Sequence, residues 1–281
     1  MSKDFKIKGI NNELAYQGFI STASIFKTEK NRFDLDVFTL PKVNSIPFSE
    51  EISPQLVLGK RAEVFFNFSI KNNSRYEMVA QNLQVIHEKK TLGEFDFFLR
   101  DRELKEILHV ELVYKFYLFD PSISKDDELK CWIGPNRKDS LLRKINRLKE
   151  HQFPLLYRSE SEKVLSRIQL NPRQLKQKVC FKANLFVPKN DNQSTYRLIN
   201  HSAIAGYWMH LNEFTEAEYG QDKYFSPQKK DWPIHPRYQK DWKNFKEILP
   251  EIDYLFKHKK AAYVWRKLQN GSFERFFIVW W

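Results

Sequence analysis

Residues 108–118 form the segment that most constrains how this chain can fold. In an extended strand successive side chains point to opposite faces, so this segment separates into two sets of side chains. The first set is entirely apolar and consists of Val110, Leu112, Tyr114, Phe116 and Leu118; the second consists of His109, Glu111, Val113, Lys115 and Tyr117. The first face is therefore predicted to pack in a core, and the second to present charge.

Hydrophobic periodicity and turn residues predict the elements around this strand. In chain order they are a helix at residues 12–29 broken by Gly18, an irregular segment at 30–53, a helix at 55–70, strands at 82–88, 92–100 and 107–119, a helix from the 134–140 loop to about residue 150, and a strand at 178–187. Because a strand-helix-strand step needs a crossover, the last strand is predicted to run parallel to strand 107–119. The expected fold is α/β, with a mixed sheet flanked by helices on both faces.

A change of composition marks the C-terminal third of the chain. Six of the seven tryptophans lie at or after Trp208, beyond a polar loop at residues 188–194. Asn270 and Gly271 lie between two apolar segments and are predicted to form a hairpin with a type I′ turn. The predicted domains are an N-terminal helical and irregular segment at 1–53, an α/β core at 54–188, and a Trp-rich, β-containing C-terminal layer at 189–281.

The overall charge favours a polyanionic partner. The 47 lysines and arginines exceed the 35 aspartates and glutamates, which gives a net charge of +12 over 281 residues. Such a surface attracts nucleic acid, although excess lysine also serves solubility. No segment approaches the ~20 apolar residues of a membrane span, and the first residues lack the apolar core of a signal peptide, so a cytoplasmic protein without membrane contact is expected. Cys131 and Cys180 lack metal-ligand spacing and are expected to be reduced.

Three acids lie among apolar residues. Glu63 falls inside the helix at 55–70, Asp96 in strand 92–100 and Glu111 in strand 107–119. A carboxylate in apolar surroundings is costly unless a cation pairs with it. Mg²⁺ is a hard ion that prefers oxygen ligands, so the three acids are candidate metal ligands. The alternative is structural, because a strand glutamate and a lysine on one face also form a simple ion pair.

These acids, in this order of helices and strands, resemble the restriction-endonuclease-like PD-(D/E)XK phosphodiesterase superfamily, whose core is αβββαβ, over residues 54–188. Residues 59–63, 93–96, 111–118 and 134–139 are more similar still to a bacterial family, domain-of-unknown-function family 1853. The resemblance implies that Asp96 and Glu111 bind Mg²⁺ or Mn²⁺. It further implies that Glu63 supports the metal and that Lys115 orients the attacking water.

The lysine departs from the superfamily pattern, which places it two residues after the acid. Lys115 lies four residues after Glu111, which moves its Cα from ~7 Å to ~13 Å along the strand. A bulge shortens this gap, or a lysine from the following helix supplies the charge instead, with Lys144 the best placed. His109, on the face of Glu111, and Gln152, just after the basic helix, are secondary candidates.

The helix after residue 140 carries an apolar stripe and a basic remainder. The residues predicted to bind nucleic acid are Arg137, Lys138, Arg143, Lys144 and Arg147. The leading hypothesis is a Mg²⁺-dependent nuclease that cleaves DNA or RNA. Two alternatives remain: a nucleic-acid-binding protein that keeps the fold without the chemistry, and an interaction or ligand-binding protein that uses the Trp-rich C-terminal layer, whose tryptophans either stack on bases or belong to the core.

Overall fold

The fold is described from a computed structural model, which describes residues 3–27, 33–41, 46–191 and 196–281. The helices are α1 (Lys3–Ser21), α2 (Leu58–Lys71), α3 (Glu128–Cys131), α4 (Leu141–Arg147), α5 (Phe153–Leu155), α6 (Ser159–Arg167), α7 (Glu216–Tyr219) and α8 (Phe245–Lys257). The strands are β1 (Tyr76–His87), β2 (Lys90–Asp101), β3 (Glu106–Phe119), β4 (Trp132–Ile133), β5 (Leu175–Pro188), β6 (Ile204–His210), β7 (Lys223–Phe225), β8 (Ala262–Lys267) and β9 (Phe273–Val279).

One mixed sheet contains all nine of these strands, in the order β1-β2-β3-β5-β6-β9-β8-β7, with β4 pairing with the end of β3. The strands β1, β2 and β3 form an antiparallel meander. The strands β3, β5, β6 and β9 are mutually parallel, and β8 and β7 complete the far edge antiparallel to their neighbours. The predicted mixed α/β sheet and the parallel pairing of β5 with β3 are therefore confirmed.

The first face of β3 packs in a core as predicted, but the second face, predicted to present charge, is largely buried as well. Val110, Tyr114 and Phe116 belong to a buried cluster that also contains residues of α1 and α2. Val113 and Tyr117, on the opposite face, belong to a second cluster built with α4. Helices therefore cover both faces of the central strands, which buries the apolar surface of the sheet on each side.

The C-terminal strands extend the central sheet. The strand β6 pairs with β5, and β9 pairs with β6, so strands from both sides of residue 189 lie in one sheet. Trp208, Trp232 and Trp265 are buried within the large cluster on the α1 and α2 side. These three tryptophans belong to the core rather than to a base-stacking surface. The predicted division of the chain into three segments stays a prediction.

The structure corrects the prediction that Gly18 breaks the first helix. The helix α1 begins at Lys3 and runs through Gly18 to Ser21. A Cβ at position 18 would lie 1.8 Å from the carbonyl oxygen of Pro233, so glycine permits a close contact between this helix and a C-terminal segment. Residues 28–32 and 42–45, from the predicted helix end and irregular segment, and residues 192–194 of the predicted polar loop lie outside the described residues.

The C-terminal hairpin forms with a different turn from the one predicted. Gly271 has a φ of 82°, whereas Asn270 does not have a positive φ, so the type I′ turn is wrong. Gly271 N–H donates to the Leu268 carbonyl, and Leu268 N–H donates to the Ser272 carbonyl. This pattern is a three-residue loop in which a type I turn precedes a glycine bulge. Only one residue then needs the left-handed conformation.

Other boundaries differ from the prediction by a few residues. The strand β1 begins at Tyr76 rather than at residue 82, and α4 ends at Arg147, followed by a π-helical turn at Leu148–Gln152. Within the ranges that the structure describes, no helix combines the length and the apolar composition needed to cross a bilayer.

Candidate active site

The strands β2 and β3 separate within the sheet and leave an opening between them. Their pairing runs from Asp101 opposite Glu106 to Phe97 opposite Val110 and then ends. On that edge of β3, the next pairing is with β4, at Leu118 and Phe119. In the described part of the chain, no strand therefore pairs with residues 111–117 on this side. Asp96 and Glu111 are the first residues past the last pair, so the sheet register brings both acids to the opening.

The charges of Asp96 and Glu111 affect each other's ionisation. The Leu112 backbone N–H donates to Asp96 Oδ2 at 2.8 Å, which holds the Asp96 side chain against β3. Burial, together with the negative charge of Glu111, raises the pKa of Asp96 to about 8. Burial also opposes ionisation of Glu111, but the hydrogen bonds from His109 and Gln152, together with favourable electrostatic interactions with His109 and Lys144, outweigh it and lower the Glu111 pKa. Glu111 is therefore the ionised member of the pair, and Asp96 is the one that retains a proton.

A buried hydrogen-bond network orients Glu111, which is 2% exposed. His109 Nε2 lies 3.0 Å from Glu111 Oε1, and Gln152 Nε2 donates to Glu111 Oε2 at 3.0 Å. Gln177 Nε2 lies 3.1 Å from His109 Nδ1 and donates to the Phe153 carbonyl at 2.9 Å. Because Gln177 donates to Nδ1, this pattern assigns the ring proton to Nε2, which donates to Glu111.

Aromatic rings hold His109 in place. The imidazole is fully buried and stacks on Phe98 at a centroid distance of 5.2 Å, while Phe95 contacts it edge-on at 5.1 Å. Burying a polar ring without partners is costly, but both ring nitrogens are hydrogen-bonded here. His109 and Gln152, the two secondary candidates from the sequence, both contact Glu111 directly.

Lys144, on α4, lies within electrostatic range of the two acids. Ser140 caps the start of this helix, where its Oγ accepts a hydrogen bond from Arg143 N–H at 3.3 Å. Burial lowers the pKa of Lys144, and the charges of Glu111 and Asp96 oppose that effect. Lys144 is therefore a partly buried cation that lies within electrostatic range of the two acids at the opening.

Lys115 is engaged elsewhere. Its Nζ donates to Asp139 Oδ2 at 2.7 Å, and Asp139 Oδ1 accepts from Ser140 N–H at 2.9 Å. The positive charge of Lys115 also lowers the pKa of Lys144, so the two lysines lie within electrostatic range of each other. No pattern in the sequence singles out Asp139 as a lysine partner.

Glu63 lies at the margin of the site. Lys60 donates to Glu63 at 2.9 Å and to Glu94 at 2.8 Å. Lys60 is therefore the cation that stabilises the partly buried carboxylate of Glu63. Burial raises the pKa of Glu63 despite this pairing. The charge of Glu63 contributes to the raised pKa of Asp96, which places the third acid within electrostatic range of the pair.

The metal-binding capacity of the site rests on two acids. Among the described residues, no group of three or more histidines, cysteines, aspartates or glutamates is arranged to hold a metal ion. Mg²⁺ is usually held by only one or two carboxylates, with waters and phosphate oxygens completing its coordination. In the residues described, Asp96 Oδ1 has no hydrogen-bond partner, whereas Oδ2 has one. Asp96 and Glu111 are therefore of the residue type, and in the number, that a Mg²⁺ site usually contains.

The residues of the predicted basic cluster differ in their surroundings. Arg137 pairs with Asp120 at 3.0 Å and lies over the Trp281 ring at 4.5 Å, so its charge serves the local structure. Lys138 is exposed. Arg143 and Arg147 are exposed and line a groove of about 710 Å³ that also contacts Gln152. The groove therefore reaches a residue that contacts Glu111.

A family model, Domain of unknown function (DUF1853), matches residues 40–279. The chain belongs to this family. The match to DUF1853 includes both acids, both lysines and the basic groove. No curated protein and no solved structure matches the chain significantly. The DUF1853 description names no activity.

Proposed function

We propose that this DUF1853 protein is a metal-dependent phosphodiesterase that acts on nucleic acid through a restriction-endonuclease-like core. The observation that carries the proposal is that Asp96 and Glu111 lie where β2 and β3 separate, with Lys144 within electrostatic range of both. A lysine and two acids at such an opening are the residue types that metal-assisted phosphodiester hydrolysis requires. An exposed surface ion pair does not account for this group, because Glu111 is buried and both Asp96 and Lys144 are partly buried.

Asp96 and Glu111 are the residues that would hold Mg²⁺ or Mn²⁺. A bound ion of this kind polarises the phosphoryl oxygen and lowers the pKa of an attacking water. Glu111 keeps a fixed orientation through His109 and Gln152, as expected of a carboxylate whose position matters. Lys144 places a positive charge where negative charge develops on the phosphate.

The substrate class follows from the surface beside the acids. Arg143 and Arg147 line the groove next to Gln152, and the chain carries a net charge of +12. Arginines bind phosphate oxygens in a bidentate way, and a basic groove follows the backbone of a nucleic acid. The exposed arginines would bind phosphates on either side of the scissile bond.

A cleavage assay tests the proposal. Labelled single- and double-stranded DNA and RNA are incubated with Mg²⁺, Mn²⁺ or EDTA, and products are separated by size. Cleavage should require metal and be lost in Asp96→Asn, which removes charge at nearly constant shape. The matched control is Asp126→Asn, at an exposed aspartate of a loop, which should cleave like the wild type. Cleavage that persists in Asp96→Asn would show that another group carries the activity.

A second candidate is a nucleic-acid-binding protein without hydrolytic activity. The observation in its favour is that both oxygens of Glu111 already accept hydrogen bonds, from His109 and from Gln152. This candidate predicts nucleic-acid binding that depends on Arg143 and Arg147, with no cleavage in any metal. Calorimetry with Mn²⁺ separates the two candidates, because only the phosphodiesterase requires metal binding that Asp96→Asn abolishes.

A further inference from the structure

A second polar cavity lies away from the acids, on the α1 side of the sheet. It has a volume of about 340 Å³ and is bounded by the end of α1, by β5, by the starts of β6 and β9, and by residues 233–238. None of its lining residues is one of the acids or lysines of the candidate active site. Ligand pockets generally range from about 300 to 1,000 Å³, so the cavity has room for a small molecule.

The floor of this cavity is polar and buried. Asn184 is 6% exposed and Thr22 is 8% exposed, and both line the cavity. The Asn184 amide nitrogen donates to Thr22 Oγ1 and to the Tyr114 hydroxyl, each at 3.5 Å, which is long for a hydrogen bond. A buried amide with such weak partners retains the capacity to donate to a ligand.

The walls are basic. Arg237, Arg275 and His235 line the cavity, and its lining contains no aspartate or glutamate. Over the described ranges, neither arginine forms an ion pair with a carboxylate. Burial lowers the pKa of His235, and the positive charges of Arg237 and Arg275 lower it further. Two guanidinium groups in a lining without a carboxylate attract an anion electrostatically.

We propose that this cavity binds the phosphate group of a small phosphorylated molecule. The planar guanidinium groups of Arg237 and Arg275 match the geometry of phosphate oxygens, and the Asn184 amide adds a neutral donor at the floor. The ligand is a small molecule because the neutral donor lies at the bottom of a cavity whose volume suits a phosphate ester. This inference is independent of the proposed phosphodiesterase function.

Isothermal titration calorimetry at constant ionic strength tests the inference. The probes are inorganic phosphate, adenosine monophosphate as an organic phosphate ester, and a short single-stranded oligonucleotide. The variant is the double substitution Arg237→Met and Arg275→Met, and the matched control is Arg173→Met, at an exposed arginine outside the cavity. Phosphate and the monophosphate should bind the wild type and Arg173→Met saturably, and the double variant at least about tenfold more weakly.

Either of two kinds of result would overturn the inference. One is the absence of saturable binding of both phosphate and the monophosphate to the wild type, or equal affinity in the double variant. The other is an oligonucleotide that alone among the probes loses affinity in the double variant, because the cavity would then belong to a nucleic-acid surface. If the double variant does not fold, the phosphate affinity of the single variant Arg237→Met tests the inference. Arg237 is exposed, so its replacement should leave the fold intact. Asp96→Asn should bind phosphate like the wild type, so this inference and the proposed function fail separately.

Discussion

Asp96 Oδ2 accepts a hydrogen bond from the Leu112 backbone N–H at 2.8 Å, at the point where the pairing of β2 with β3 ends. The carboxylate therefore takes the place of a strand carbonyl and satisfies an amide that would otherwise face the opening. This hydrogen bond fixes one oxygen of Asp96 beside Glu111 and leaves the other available. The separation of the strands and the position of the acids are thus a single structural feature.

We expect Lys144, rather than Lys115, to support catalysis. Lys144→Met should lower the rate of cleavage by about 10²–10³, the usual cost of removing one preorganised charge-stabilising group. Lys115→Met should have a smaller effect, because Lys115 already pairs with Asp139. Single-turnover rates and substrate affinity, measured separately, show whether the loss lies in chemistry or in binding. A larger loss in Lys115→Met would reverse the assignment.

The raised pKa of Asp96 predicts a pH-dependent stability. With a folded pKa of about 8 against an ordinary value of 3.8, the native state holds a proton that the unfolded state has lost. The native state then binds more protons between these values, so the free energy of unfolding falls as pH rises through about 8. Relative to Asp96→Asn, the free energy of unfolding of the wild type should fall by about 4 kcal/mol between pH 5 and pH 9 in EDTA.

Urea denaturation at several pH values measures this difference. Adding Mg²⁺ at pH 8 at roughly a hundred times its dissociation constant should stabilise the wild type by about 2–3 kcal/mol, because the ion binds only the folded state. Asp96→Asn should gain much less. A stability difference that does not change with pH would mean that Asp96 is ionised throughout.

His109 is expected to act by positioning Glu111. His109→Phe keeps an aromatic ring between Phe95 and Phe98 but leaves Glu111 Oε1 without its donor. Loss of such a partner should weaken Mn²⁺ binding by about 10–100-fold. His109→Gln, which can donate to Glu111, should recover part of the affinity. If both variants bound Mn²⁺ with equal affinity and kept the fold by circular dichroism, His109 would have no role in positioning Glu111.

Local patterns in the sequence predict the faces of the central strand but not the partners of its charged residues. The two-residue alternation of residues 108–118 is set by strand geometry alone, and the burial of Val110 and Phe116 on one face confirms it. The parallel pairing of β5 follows from the crossover rule. These predictions succeed because they depend on periodicity and connectivity.

Long-range partners could not be predicted in the same way. Gln177 contacts His109 across a separation of 68 residues, and it lies in a strand whose pattern gives no sign of that role. The pairing of Lys115 with Asp139 and of Lys60 with Glu94 depends on where loops and helices settle against the sheet. The register that brings Asp96 and Glu111 together is likewise a property of the assembled sheet.

Finally, the basic residues should differ in their effect on nucleic-acid binding. Replacing Arg143 and Arg147 with serine should weaken binding and reduce the slope of log affinity against log salt by about one for each phosphate that these arginines bind. Arg137→Ser should change the slope little and instead lower the free energy of unfolding, because Arg137 pairs with Asp120 and lies over Trp281. Fluorescence anisotropy over a series of salt concentrations measures the slopes, and thermal denaturation measures the stability. A slope change in Arg137→Ser equal to that of the double variant would place Arg137 in the nucleic-acid interface.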